Sequence, residues 1–178
     1  MSVSPTTTVG ALQAQERTVE DLFKSAEPSI VSISTFVKGM DRLTMNAVEV
    51  PAGTGSGFVW DDKGNVVTNY HVIRGAQSAM VAVTGADGTV KQYSANLVGF
   101  NPDKDVAVLR VDAAMAPAPL KIGSSDALRV GQTCLAIGNP FGLDHSLSVG
   151  VISGVGREVR IASNFETTVG TCREMRVL

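Results

Sequence analysis

A chain of 178 residues, 44% hydrophobic and 18% charged, has the composition of an ordinary globular protein with room for one substantial core or two small sub-domains. A formal charge of −2, a pI near 5.6 and the absence of any Lys/Arg block argue against nucleic acid or an anionic membrane surface as a partner. No apolar run approaches the roughly 20 residues of a membrane helix. The opening MSVSPTTTVGALQAQ has neither the pattern of a secretory signal nor that of a transit peptide, so no targeting segment is read in it.

Residues 1–16 are rich in Ser, Thr, Ala and Gln without apolar period and read as a flexible arm. A short helix is predicted over 17–28. Thr18 is placed to cap it, Asp21 follows three residues on, and Pro28 ends it. Its Leu22 and Phe23 would face the body of the domain or a neighbouring subunit.

From there the signal is β. SIVSISTFV (29–37) is a strand, and 38–50 reads as an inserted loop. GSGFVW (55–60), the turn DDKG and NVVTN (65–69) make a hairpin. AMVAVT (79–84), the turn GADG and TVKQYSANLVGF (89–100) make a second, and DVAVLRV (105–111) is a further strand. Residues 29–112 thus form one β unit. Two prolines in a small-residue stretch mark 113–119 as a linker. Within 120–160, TCLAIGNPFG (133–142) and SLSVGVISGVGREV (146–159) are strand-like, and short strands at this spacing argue a sandwich or barrel. The tail, 161–178, has weak periodicity and does not complete the β pattern. Cys134 sits in an apolar run, where cysteine behaves as a small buried hydrophobe, and Cys172 in the polar tail; the two do not amount to a disulfide framework.

The candidate chemistry centres on VVTNYHVIRG (67–76), where His71 stands at a strand end as the chain turns. A lone histidine is ordinarily a core residue satisfied by a carbonyl. A histidine base needs an orienting acceptor, and Asp105 opens the next well-alternating strand, where its carboxylate can hold the imidazole N–H. The plain reading of Asp105 is a strand-start cap. Asp103, which follows Pro102 in a turn, is the competing carboxylate and the more solvated one.

Three blocks carry a resemblance: GSGFVWDDKGNVVTNYHVIRGA, VGFNPDKDVAVLRVD and IGSSDALRVGQTCLAIGNPFGLDHSLSVGVISGVGRE. Over residues 17 to about 160 the chain resembles the HtrA (Deg) family of trypsin-like serine endopeptidases, and most of all its chloroplast branch in plants and algae. The resemblance implies an all-β, chymotrypsin-like double β-barrel with the active site between the barrels. The first barrel is complete here, the second incomplete, and a short helix precedes them. It implies His71 as general base and Asp105 as its orienting carboxylate. It also implies unfolded or damaged protein substrates, trimer-based homo-oligomers formed through the N-terminal region, no small-molecule cofactor, and the thylakoid lumen as compartment.

The family's nucleophile sits in a GNSGGP motif, which these 178 residues do not contain; after GVGREVRIAS the pattern changes to NFETTVGTCREMRVL. Ser56, in GTGSGF, is not a G-x-S-x-G elbow, because Thr54 stands where a glycine is needed. Ser153 matches a family strand, and Cys172 has no following glycine pair to shape an oxyanion hole. No nucleophile is therefore assigned, and the chain alone is expected to be inactive, with raw edges and exposed apolar faces in its last third. The alternative is a pseudo-protease subunit that binds or caps active homologues. A zinc reading of His71, Asp105 and His145 lacks a histidine pair at i, i+4 or a CxxC and is set aside, leaving His145 as a loop residue; no metal site is expected.

Overall fold

The computed structural model describes residues 14–40, 46–85, 87–140, 142, 145–156, 158–163 and 166–171. Helix α1 spans Ala14–Ala26 and is followed by a 3-10 turn, Glu27–Ser29. The helix thus begins before the 17–28 expected. Ala14, Gln15 and Glu16 are good helix formers, and Glu16 puts negative charge in the first turn, so Thr18 lies inside the helix. Pro28, at the start of the 3-10 turn, ends the α-helical hydrogen bonding as its missing N–H requires.

Six strands close into a barrel in the order β1–β2–β3–β6–β5–β4. They are β1 (Ile30–Met40), β2 (Ala47–Val59), β3 (Asn65–Thr68), β4 (Ser78–Thr84), β5 (Val90–Asn101) and β6 (Val106–Arg110), all neighbours antiparallel. The period-2 pattern fills the barrel. Val31 and Ile33 from β1, Val59 from β2, Val66 from β3, Val81 from β4 and Ala107 and Leu109 from β6 are buried together. The stretch 38–50, expected as a loop, is in large part strand: β1 runs on to Met40 and β2 starts at Ala47. Its pairing is held by the hydrogen bonds of the ladder, in which Lys38 stands directly across from Glu49.

After β6, Leu120 N donates to Val59 O and Ser29 Oγ to Ala118 O, so the segment 113–120 is strapped along the barrel. Beyond it, β7 (Thr133–Gly138) pairs with β8 (Ser146–Val151), and β9 (Glu158–Ser163) with β10 (Glu166–Thr171), as separate two-stranded sheets. The tail therefore carries strand where none was expected. Its Thr- and Val-containing run pairs antiparallel with the preceding strand, a sheet preference that weak alternation had concealed. Cys172 lies outside the described residues, and Cys134 is a free, partly buried thiol.

The loop after β7 returns to the barrel. Asn139 N donates to Ser56 Oγ at 2.8 Å, and His145 lies 3.3 Å from Ile30 O. This covers the outer face of β1, so Ser32 is buried on the side opposite Ile33. By contrast, Val149 and Val151 of β8 are 58% and 62% exposed, the open apolar face expected of a second barrel represented by its first strands. Among the described residues no helix is long and apolar enough to cross a membrane.

Candidate active site

His71 is carried by a single helical turn, α2 (Tyr70–Ile73), between β3 and β4. The Val-Ile pair after the histidine reads as strand, but the chain must leave the barrel at Thr68 and return at Ser78, and one helical turn spans that corner. Near its C-terminal end stands Thr35, a buried strand residue whose Oγ1 lies 3.1 Å from Gly53 O and 3.4 Å from Val72 O, with one proton for the two acceptors. Beneath it, Gly55 makes room: a Cβ there would stand 2.5 Å from Val72 Cγ2.

Asp105 ends the turn that follows β5 and directly precedes β6. Its φ of +52° makes it the one non-glycine residue with positive φ among the described residues. The left-handed region costs an L-residue of this type on the order of 1 kcal/mol, although aspartate tolerates it better than most. In return, the carboxylate points at α2. Asp105 Oδ1 accepts the backbone N–H of His71 at 2.9 Å, and Oδ2 lies 2.8 Å from His71 Nδ1. Asp105 O accepts the backbone N–H of Tyr70 at 3.2 Å.

The two sequence-selected residues are therefore in direct contact, with unequal exposure. The Asp105 side chain is 12% exposed and that of His71 65%. A carboxylate withdrawn from water beside an imidazole that reaches into it fixes Nδ1 as the protonated nitrogen and leaves Nε2 to take up a proton from outside. His71 borders an open cleft of about 340 Å³ between the barrel and the β7–β8 hairpin, lined by Ser56 and Asn69 on one side and Ile137, Pro140 and Ser148 on the other.

Asp103 is exposed, as its turn position implies. Ser56 lines the cleft, but its Oγ accepts Asn139 N and so joins the barrel to the loop after β7. Ser153 is exposed in the connection after β8. His145 is not brought to the dyad. Its buried ring sits between Glu27, 3.3 Å from Nδ1, and Ile30 O and Asn139 on the Nε2 side. Among the described residues no group of three or more His, Cys, Asp or Glu is arranged to hold a metal ion.

Two neighbours of the dyad escaped sequence reasoning. The Tyr70 ring stacks on Phe100 with centroids 5.0 Å apart, bracing α2 against β5. Asn69 is buried, and its Nδ2 lies 3.1 Å from both Oδ2 and the main-chain O of Asp105. Its position just before a helical turn would have marked it as a polar residue with structural work to do, but not what it reaches.

Comparison with known proteins agrees with this geometry. The family model of the trypsin-like peptidase domain matches residues 55–174. Protease Do-like 1, chloroplastic, of Arabidopsis thaliana is 51% identical over 153 residues, covering 85% of this chain and 34% of the relative. Protease Do-like 8, chloroplastic, of the same plant is 44% identical over 168 residues, covering 88% and 38%. The crystal structure of Deg5 superposes with a TM-score of 0.70 at 39% identity, over 84% of this chain and 69% of that one. The chain spans little more than a third of the length of the two curated relatives. The family match over most of the chain, with the likeness to Deg5 in sequence and in structure, places this chain in the trypsin-like peptidase family, among the Deg (HtrA, Do-like) serine proteases.

Proposed function

We propose that the protein is an endopeptidase of the HtrA/Deg type that degrades unfolded or damaged proteins, with His71 as general base and Asp105 as its orienting carboxylate. The observation that carries this is the double engagement of Asp105, one oxygen on the His71 backbone N–H and the other 2.8 Å from Nδ1. A carboxylate held at two points cannot swing away. The imidazole is kept in the orientation and tautomer that proton transfer from a hydroxyl to Nε2 requires, and the carboxylate stabilises the imidazolium that forms. The serine belongs to a GNSGG segment that is not among these 178 residues. The 178-residue polypeptide by itself therefore supplies a base and no nucleophile and turns over no peptide. The compartment we assign is the chloroplast, supported by the chloroplastic names of two of its relatives, and within it the thylakoid lumen, which rests on the family resemblance alone.

The test is hydrolysis of a chemically denatured protein by the protein isolated from its source, with the intact mass taken on the same sample. A chain heavier than 18.6 kDa that carries GNSGG, and whose turnover falls by about 10⁴-fold in Asp105→Asn, supports the reading. Turnover indifferent to His71→Ala and Asp105→Asn overturns it.

A second reading is favoured by α1, whose Leu22 is 49% exposed. The chain would then be a pseudo-protease that joins active homologues in trimer-based assemblies through its N-terminal region, with Leu22 and Phe23 at the contact. A native mass of 18.6 kDa and co-purification with an active homologue, lost in Leu22→Asp, would select it.

A further inference from the structure

The residue just before α2 is in the position where an asparagine normally bonds the free N–H groups of its own helical turn. Asn69 does not. Its side chain makes no capping hydrogen bond, although its backbone, at φ −78° and ψ 143°, has the extended conformation of a cap residue. The capping is done from the neighbouring strand, since Asp105 directly precedes β6, which pairs with β3. Asp105 O takes the first N–H of the turn, that of Tyr70, and Asp105 Oδ1 takes the second, that of His71. The two residues have exchanged duties: Asp105 caps the turn that carries His71, and the side chain of Asn69 is released to bind Asp105.

We propose that Asn69 is a positioning residue for the His71–Asp105 pair. The proposal deepens the reading of His71 as base and Asp105 as its orienting carboxylate, and rests on it. The Asn69 amide has two N–H bonds, and Asp105 offers it two acceptors, Oδ2 and the main-chain O, each 3.1 Å from Nδ2. Both are oxygens, so the amide can present only its nitrogen to them. One side chain thereby fixes the carboxylate relative to its own carbonyl. That fixes the side-chain torsion of Asp105 and secures its left-handed backbone, at φ +52°. The arrangement is also directional. Oδ2, the oxygen that faces His71 Nδ1, receives the Asn69 N–H as a second donor, while Oδ1 is occupied by the His71 backbone. Without Asn69 the carboxylate could rotate about its terminal torsion out of the orientation in which it meets both the His71 backbone N–H and Nδ1. With it, that orientation is held. Asn69 is 7% exposed, so water is a poor substitute for its two donors.

The test is ¹⁵N NMR of the His71 ring in the full 178-residue chain, which needs neither a nucleophile nor a substrate. In the parent protein the neutral ring is expected in the Nδ1–H form, with a slowly exchanging Nδ1 proton. Asn69→Leu keeps the approximate volume and removes both donors. Asn69→Asp keeps the shape and turns donors into acceptors beside a carboxylate. Both are expected to move the ring to a mixture of tautomers and to speed exchange of the Nδ1 proton by about ten-fold or more, the scale of losing a hydrogen bond to a charged group, with Asn69→Asp the more severe. Thr68→Val is the structural control. It removes the buried hydrogen bond from Thr68 Oγ1 to Ser56 O, one residue away, without touching the pair, and it should lower stability and leave the tautomer alone. If Asp105→Asn abolishes the Nδ1–H form while both Asn69 variants retain it at the parent exchange rate, the positioning role is overturned and the dyad stands. If Asp105→Asn also leaves the ring unchanged, the dyad itself is wrong. Should Asn69→Leu fail to fold, Asn69→Asp decides in its place. Should both fail, the exchange rate of the Nδ1 proton in the parent is compared across added urea below the unfolding transition. Loss of that protection together with the amide protons of Tyr70 and His71 supports a clamp on Asp105, and earlier independent loss of the ring proton overturns it.

Discussion

Gly55→Ala probes how tightly the His71 turn is fitted to the barrel. A Cβ at residue 55 would stand 2.5 Å from Val72 Cγ2, 2.8 Å from Cγ1 and 3.3 Å from Cβ. Carbon atoms in contact settle at about 3.5–4.0 Å, so Val72 must withdraw by about 1 Å. Rotation does not help, because both methyl groups are too close and a valine side chain in a turn of helix has one preferred rotamer. The whole residue must move, and with it the turn that Asp105 grips at His71 N. Overpacking of this kind costs about 1–3 kcal/mol. The cost should be specific to Val72. Val72→Ala alone, trimming two partly buried methyl groups, should cost about 1 kcal/mol, and the double variant no more than a few tenths beyond that. The cycle then shows a coupling of about 1–2 kcal/mol, in the range measured for touching residues. Urea unfolding at unchanged m-value reads the stabilities, and the His71 Nδ1–H signal should be lost in Gly55→Ala and return in the double variant. Additive costs, or a Gly55→Ala loss below about 0.5 kcal/mol, would refute the reasoning.

Gly64 has φ +78°, and a Cβ there would lie 2.4 Å from Val111 O, a backbone atom that cannot yield. Gly64→Ala is expected to cost about 3 kcal/mol or more and to show in circular dichroism as an early thermal transition; a melting curve within error of the parent would sink this. His145→Ala removes the buried ring that links Glu27, Ile30 O and the loop after β7, and should cost about 1–3 kcal/mol in urea and speed hydrogen exchange around Ile30; unchanged exchange there would mean that the ring is not a link. The carboxyl of Asp61 is held below the ordinary carboxylate value, first by its hydrogen bond from Asn65 Nδ2 and further by backbone N–H groups. A depressed folded value means that the stabilisation is complete above the unfolded value, near 4, and fades as pH falls through the folded one. Asp61→Asn should therefore narrow the gap in urea midpoint between pH 6 and pH 3, and an unchanged gap would count against the turn's contribution.

What the sequence revealed and what it hid divide along a physical line. Strands with regular alternation, such as VAVLR (106–110), in which Ala107 and Leu109 are buried, were legible because period 2 and burial are the same fact seen twice. The meeting of His71 with Asp105 was legible in part: the strand-start position made Asp105 a candidate beside Asp103, and the family resemblance chose between them. The arm at 38–50 was misread because its strands bury neither face; hydrogen bonding alone keeps Met40 and Val48 in the ladder, and hydropathy carries no trace of that. The turn at 70–73 was hidden for the opposite reason. Its Val and Ile favour strand, and what makes them helical is a cap delivered by Asp105, 34 residues away in the chain. Asn69 was invisible for the same cause, since a cap asparagine is a local signal and its actual partner is remote. Where a residue's local preference and its observed partner disagree, the disagreement is informative in itself. Here an asparagine that leaves its own helical turn uncapped and an aspartate that accepts a left-handed backbone are explained together, by the hydrogen bonds that orient the Asp105 carboxylate toward His71.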